Sequence, residues 1–294
     1  MSVALALLAS ALWGAADFLG GVASRRLRAA VVVGVSQFVA LLGLLPLVVL
    51  TRAYDEPTDY LLPAACAAAA GSLALGAFYR ALALGTMGVV APIAALGVAL
   101  PVGVGLARGE SPHPAQLAGM AIAVLGVVLA SGPQLSGVGR GGLQPVLLAL
   151  GAALGFGLVI LLIADASSGG GGLPTVVMVL LTMRVTSVLL VGAFLLATRR
   201  SASRGGTDNT SGLGLARRDL GVLVAIGVGD VGANGAYALA SQGDLLSVTA
   251  VLASLYPVVT ALLAFHYLRE RLGAVQVVGS ALALVGIVLL AGGA

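Results

Sequence analysis

Residues 109–129, GESPHPAQLAGMAIAVLGVVL, return about 160 positions later as residues 269–289, RERLGAVQVVGSALALVGIVL. At that offset Glu110 meets Glu270, Gln116 meets Gln276, Gly119 and Gly126 meet Gly279 and Gly286, and Val128-Leu129 meet Val288-Leu289. Coincidences of Ala, Leu and Val carry little weight in so apolar a chain. A Glu, a Gln and a Gly-x6-Gly pair in register carry more. The chain reads as two copies of one unit, and in an apolar protein that pattern points to a membrane bundle made of internal repeats.

The composition agrees. Of 294 residues, 60% are hydrophobic and 9% charged, with mean hydropathy +1.11; soluble domains carry about 25% charged residues. Apolar runs of about 20 residues are long enough to span a bilayer as helices. Ten such runs lie near 3–22, 30–50, 61–84, 88–107, 114–132, 143–164, 174–198, 219–241, 245–267 and 273–292. A transmembrane barrel would need short segments of alternating polarity, and those are missing. The expected fold is an all-α membrane protein of about ten transmembrane helices in two inverted five-helix repeats. The first repeat covers 3–132, a Gly-rich linker 133–142 and the second repeat 143–292. Residues 201–211 read as a mobile loop.

Every basic side chain is Arg and Lys is absent, a bias of GC-rich genomes that places the expected location in a bacterial inner membrane. A net charge of +4 does not imply nucleic acid here, because the Arg residues cluster in short segments between apolar runs. Arg25, Arg26 and Arg28 follow span 1, whereas Arg199, Arg200, Arg204, Arg217 and Arg218 follow span 7. The first copy is thus basic after its first span and the second copy after its second, as inversion predicts. Counting Arg places both termini outside. The lone cysteine, Cys66, reads as a buried small hydrophobe.

Polar groups at mid-membrane depth are costly and need a reason. Asp230, Asn234, Tyr237 and Ser241 recur at helical spacing, so they share one face of span 8. They either line a cavity or form a stripe of interhelical hydrogen bonds. Asp17 lies four residues after Trp13 on span 1, where the indole either meets a substrate or packs. Arg184, near the centre of span 7, needs an acid or an anionic substrate, and Asp230 and Asp17 are the candidate partners. An offset of 147 puts Gln37 opposite Arg184, and one of 158 puts Tyr79 opposite Tyr237 and Gly85 opposite Gly243. Asp17, Asp230 and Arg184 are therefore the candidates for substrate binding or proton coupling, with Trp13, Gln37, Tyr79, Asn234 and Tyr237 lining the cavity. Pro92, Pro101 and Pro257 break spans 4 and 9, and Glu110 and Glu270 read as acids that anchor helix ends or loops.

Catalysis and cofactors have no footing. His113 and His266 are the only histidines, and no zinc, nucleophile-elbow or phosphate-loop motif is present. No metal or cofactor is expected.

Trp13-Gly14-x-x-Asp17-Phe18, the Arg108-Gly109-Glu110 and Leu268-Arg269-Glu270 signatures, and Leu255-Tyr256-Pro257 together resemble EamA-domain transporters of the drug/metabolite transporter superfamily. The resemblance implies a small-molecule permease, often an exporter, with a cavity between the halves lined by spans 1, 3, 4, 6, 8 and 9. It also implies both termini in the cytoplasm, against the Arg count. The function expected is transport of small polar or amphipathic metabolites or drugs by alternating access, with protons as a candidate coupling ion and the lipid bilayer as surroundings. A membrane protein with a structural or regulatory role is the alternative.

Overall fold

The structure is a computed structural model describing residues 1–84, 90, 93–130, 143–169, 171–204, 217–243, 245–268 and 273–292. Gly85, Pro92, the linker 133–142 with Arg140, most of the 201–211 loop and Arg269-Glu270-Arg271 lie outside the described residues. Regular structure among those described is entirely helical. The helices are α1 (Ser2–Ser24), α2 (Ala29–Thr51), α3 (Leu61–Leu84), α4 (Ile93–Ala107), α5 (Pro114–Ala130), α6 (Gln144–Ala166), α7 (Gly172–Arg204), α8 (Arg217–Ser241), α9 (Leu246–Tyr267) and α10 (Ala274–Gly292).

Seven of them, α1–α3 and α6–α9, are long and apolar enough to cross a bilayer unaided. The remaining three, where full spans were expected, show shorter apolar stretches at Ile93–Ala107, Pro114–Leu129 and Val277–Leu290.

Large side chains face outward. Val49, Leu73, Leu154 and Val288 are each about 70% exposed or more, being 70%, 76%, 68% and 69%. Inside, the core is dominated by alanine, with Ala6, Ala9, Ala64, Ala67, Ala149 and Ala152 fully buried. This inversion of the soluble pattern follows from the solvent. Lipid gives no reason to hide Leu, so helices meet through small residues that let backbones approach. Cys66 fits that logic and not the expectation: it is exposed on the outer face of α3.

Helix packing is symmetric under exchange of halves. α1 packs on α8 as α6 packs on α3; α2 packs on α8 as α7 packs on α3; α1 meets α9 as α6 meets α4. α2 packs on α7, α5 on α10 and α4 on α9, each helix on its own counterpart. The glycines that opened the sequence reading sit in one such seam. A Cβ on Gly126 would press into the backbone at Ala283 and Gly279, and one on Gly286 into Ala123.

α9 is broken, as Pro257 foretells. Helix runs from Leu246 to Ala253, turns at Ser254-Leu255 and resumes at Tyr256. Proline offers no N–H, and its ring crowds the carbonyl four residues earlier, here that of Ala253, where the first helix ends. Gly14 of α1 fits against this break, since a Cβ there would lie 2.6 Å from the Tyr256 carbonyl oxygen and 2.5 Å from Val259 Cβ. Thr260 Oγ1 donates to the Gly14 carbonyl at 3.0 Å.

Glu110, at the turn after α4, caps α9 across the halves. Its Oε1 accepts from Leu246 N at 2.6 Å and its Oε2 from Ser247 N at 3.0 Å. A carboxylate at a helix N-terminus satisfies two otherwise orphaned donors and meets the positive end of the helix dipole. Glu110→Ala should therefore lower stability by about 1–2 kcal/mol, with Glu110→Gln losing roughly half as much. Thermal unfolding in detergent measures both, and equal stability of Glu110→Ala and wild type would remove the cap from the account.

Candidate functional site

Near the centre of the bundle lies a cavity lined by seven helices. Trp13 and Asp17 come from α1, Gln37 from α2, Ala67 to Leu75 from α3, and Phe156, Val159 and Ile160 from α6. Met183, Arg184 and Ser187 come from α7, Asp230 and Asn234 from α8, and Tyr256 from the second part of α9. The space open to the centres of water molecules is about 70 Å³, enough for several waters or a small solute. α2 and α7 join the expected lining, and the described residues of α4 contribute none.

The polar wall is one connected network. Arg184, 2% exposed, donates from Nη1 to Asp230 Oδ2 at 2.7 Å and to Gln37 Oε1. Gln37 Nε2 donates to the same Asp230 oxygen at 3.0 Å, and Asn234 Nδ2 donates to Asp230 Oδ1 at 3.0 Å and to its main-chain carbonyl at 2.6 Å. Asp230, and not Asp17, is thus the acid that Arg184 meets. Nε and Nη2 of Arg184 are buried with no hydrogen-bond partner among the described residues.

Gln37 and Arg184 are counterparts in the two halves, and they touch. Their contact lies where α2 packs on α7. Ser72 and Ser187 bridge α3 and α7 beside it at 3.0 Å.

Asp17 has a different setting. It is 8% exposed, lines the cavity, and makes no hydrogen bond or ion pair among the described residues. One turn away on the same face stands Trp13. The rings of Trp13 and Tyr256 meet edge to face at 6.5 Å, and those of Tyr256 and Phe156 do the same at 6.5 Å. Three rings at near right angles thus form an aromatic corner beside a single carboxylate.

Tyr79 and Tyr237 do not line the cavity. Tyr237 is fully buried, with its ring 5.8 Å from that of Trp13 and its hydroxyl without a partner among the described residues. Tyr79 packs on Phe78, and a Cβ on Gly20 would collide with its hydroxyl. Both tyrosines lie seven residues beyond a lining residue, Asp230 or Ser72. The last lining residues of their helices are Asn234, three residues before Tyr237, and Leu75, four before Tyr79. Ser241 bonds the Ala238 carbonyl of its own helix and takes no part.

Phe156, Tyr256, Ser72 and Ser187 were not singled out from the sequence. One signal for Phe156 existed: an offset of 143 aligns Trp13-Gly14 with Phe156-Gly157, and each glycine sits where its helix crosses a broken one. The same offset sets Ile160 against Asp17, and the 158 offset sets Ser72 against Asp230. No group of three or more His, Cys, Asp or Glu able to hold a metal occurs among the described residues.

The sequence profile of the EamA-like transporter family matches residues 1–132 and again 143–292. No curated protein matches the sequence. A solved structure described only as the crystal structure of a protein superposes with a TM-score of 0.72, covering 98% of this chain and 95% of the other at 18% identity. At that identity the likeness concerns the fold alone.

Proposed function

The chain belongs to the EamA-like transporter family and is a multi-pass membrane transporter, and from that premise we propose that it moves a small polar or amphipathic metabolite or drug, as an exporter in a bacterial inner membrane, by alternating access. The observation that carries this reading is the central cavity. It is lined by helices of both five-helix series and holds an acid, an Arg–acid network and an aromatic corner, groups that are costly to keep inside a membrane bundle. Five helices per series is an odd number, so successive repeats enter the bilayer in opposite orientations, 3–132 one way and 143–292 the other. Rocking of such halves about the Gln37–Arg184 contact would open the cavity to each side in turn. Arg184 and Asp230 hold the hinge region of the site, Asn234 and Gln37 orient the Asp230 carboxylate, and Asp17 receives the solute or a proton.

The test is transport in reconstituted vesicles across a panel of amines, amino acids and amphipathic drugs, with Asp230→Asn at matched abundance. Asn at 230 keeps the shape and loses the charge that holds Arg184. Transport should fall by about tenfold or more, the equivalent of ~1.4 kcal/mol. Unchanged rates and unchanged pH dependence in Asp230→Asn would end the role given to that residue.

A further inference from the structure

Two acids and one base, Asp17, Asp230 and Arg184, are the acidic and basic side chains among the described lining residues. Asp230 is held by Arg184, which leaves Asp17 as one carboxylate with no partner among the described residues, nine-tenths buried and facing the cavity. The Arg184 charge is not on offer to a solute in this arrangement. Its Nη1 is committed to Asp230 and Gln37, and its Nε and Nη2 are buried, with no hydrogen-bond partner among the described residues. What the cavity presents is the Asp17 carboxyl group beside the rings of Trp13, Tyr256 and Phe156. Aromatic faces set at right angles attract a cation through their quadrupoles and accept apolar carbon at the same time.

We propose that the cavity takes a small organic monocation with an apolar or aromatic body, its ammonium seated on Asp17 within the corner of Trp13, Tyr256 and Phe156. This assignment rests on the transport reading above and narrows its substrate class. An amine and the amino acid that differs from it by one carboxylate should be told apart, because Arg184, the one cationic side chain among the described lining residues, is already held by Asp230 and Gln37. To pair with that cation the added carboxylate would have to displace one of them.

Trp13 is the only tryptophan in the chain, so its selectively excited fluorescence comes from the wall of this cavity. The experiment titrates the purified full-length protein with 2-phenylethylamine and with L-phenylalanine, in wild type, Asp17→Asn and Asp17→Glu. Phenylethylamine should change the signal saturably, and phenylalanine should bind about tenfold weaker or worse, a gap of ~1.4 kcal/mol. Asp17→Asn should lose about the same factor for the amine, while Asp17→Glu, which keeps the charge, should bind within a few fold of wild type. Equal or tighter binding of phenylalanine, a flat amine titration in folded wild type, or equal losses in both variants would each overturn the assignment. Vesicle transport separates this outcome from the transport reading. Carriage of another solute without amine binding removes only the substrate class. Amine binding with no carriage of any solute removes only the transport.

Discussion

Replacing Arg184 with methionine is expected to lower the melting temperature in detergent by on the order of 10 °C, a loss of about 3–5 kcal/mol. The guanidinium is 2% exposed and its Nη1 holds both Asp230 and Gln37. Methionine fills similar space but strands the Asp230 carboxylate without its cation, and a buried unpaired charge is among the costliest single changes a protein can suffer. The decisive comparison is the pair. In Arg184→Met/Asp230→Asn neither member of the pair leaves a charge behind, so at least half of the lost stability should return, because neutralising both members of a buried pair is often close to neutral. Arg184→Lys should fall between, keeping the positive charge beside Asp230 and losing the planar guanidinium that fixes the geometry. A double variant as unstable as the sum of its singles would mean that packing, and not charge, governs the site.

Gly157→Val is expected to cost about 3 kcal/mol or more and to deform the cavity. A Cβ at Gly157 would press into the Gly97 carbonyl and lie 3.0 Å from Leu100 Cβ, and one at Gly97 would press into the Ala153 carbonyl. Backbone meets backbone at this crossing, so no rotamer can yield. The helices must part, and α6 would carry Phe156, Val159 and Ile160 with it. Gly151 on the same helix is the control. A Cβ there meets nothing within 4 Å, so Gly151→Ala should be neutral or stabilise by up to about 1 kcal/mol through helix propensity. Melting curves of the two variants, with the Trp13 emission as a monitor of the cavity, check both halves of the expectation.

What could be read from residues alone follows from what lipid makes expensive. Asp17, Gln37, Arg184, Asp230 and Asn234 stood out because each is polar in a helix that has no water to offer, and helical spacing fixed the face on which each lies. The duplicated Glu, Gln and Gly positions exposed the repeat for the same reason: they are informative residues in an uninformative background. Phe156 and the cavity alanines gave no such signal, since an apolar residue in an apolar span looks alike whether it faces lipid, core or cavity. Tyr79 and Tyr237 show the complementary failure. Periodicity reports angle around a helix and is silent about depth along it, so it does not tell that the lining ends at Leu75 and Asn234, short of both. The Cys66 expectation failed because burial rules learned in water do not hold where the outside is oil. Glu110 was read as an anchor, but which helix it anchors needed the fold, as its partners are 136 and 137 positions away.

The packing of the two halves is interchangeable, but their charges are not. Swapping them would carry Gln37 onto Arg184 and Ser72 onto Asp230, and would replace Asp17 by Ile160. For a pair of identical halves, the inward-facing and outward-facing forms would be images of each other and equal in energy. Here the ion pair belongs to one half and the lone carboxylate to the other. The two ends of the proposed rocking motion therefore differ in free energy even with nothing bound, and the resting preference for one side of the membrane is set by which half kept which charge.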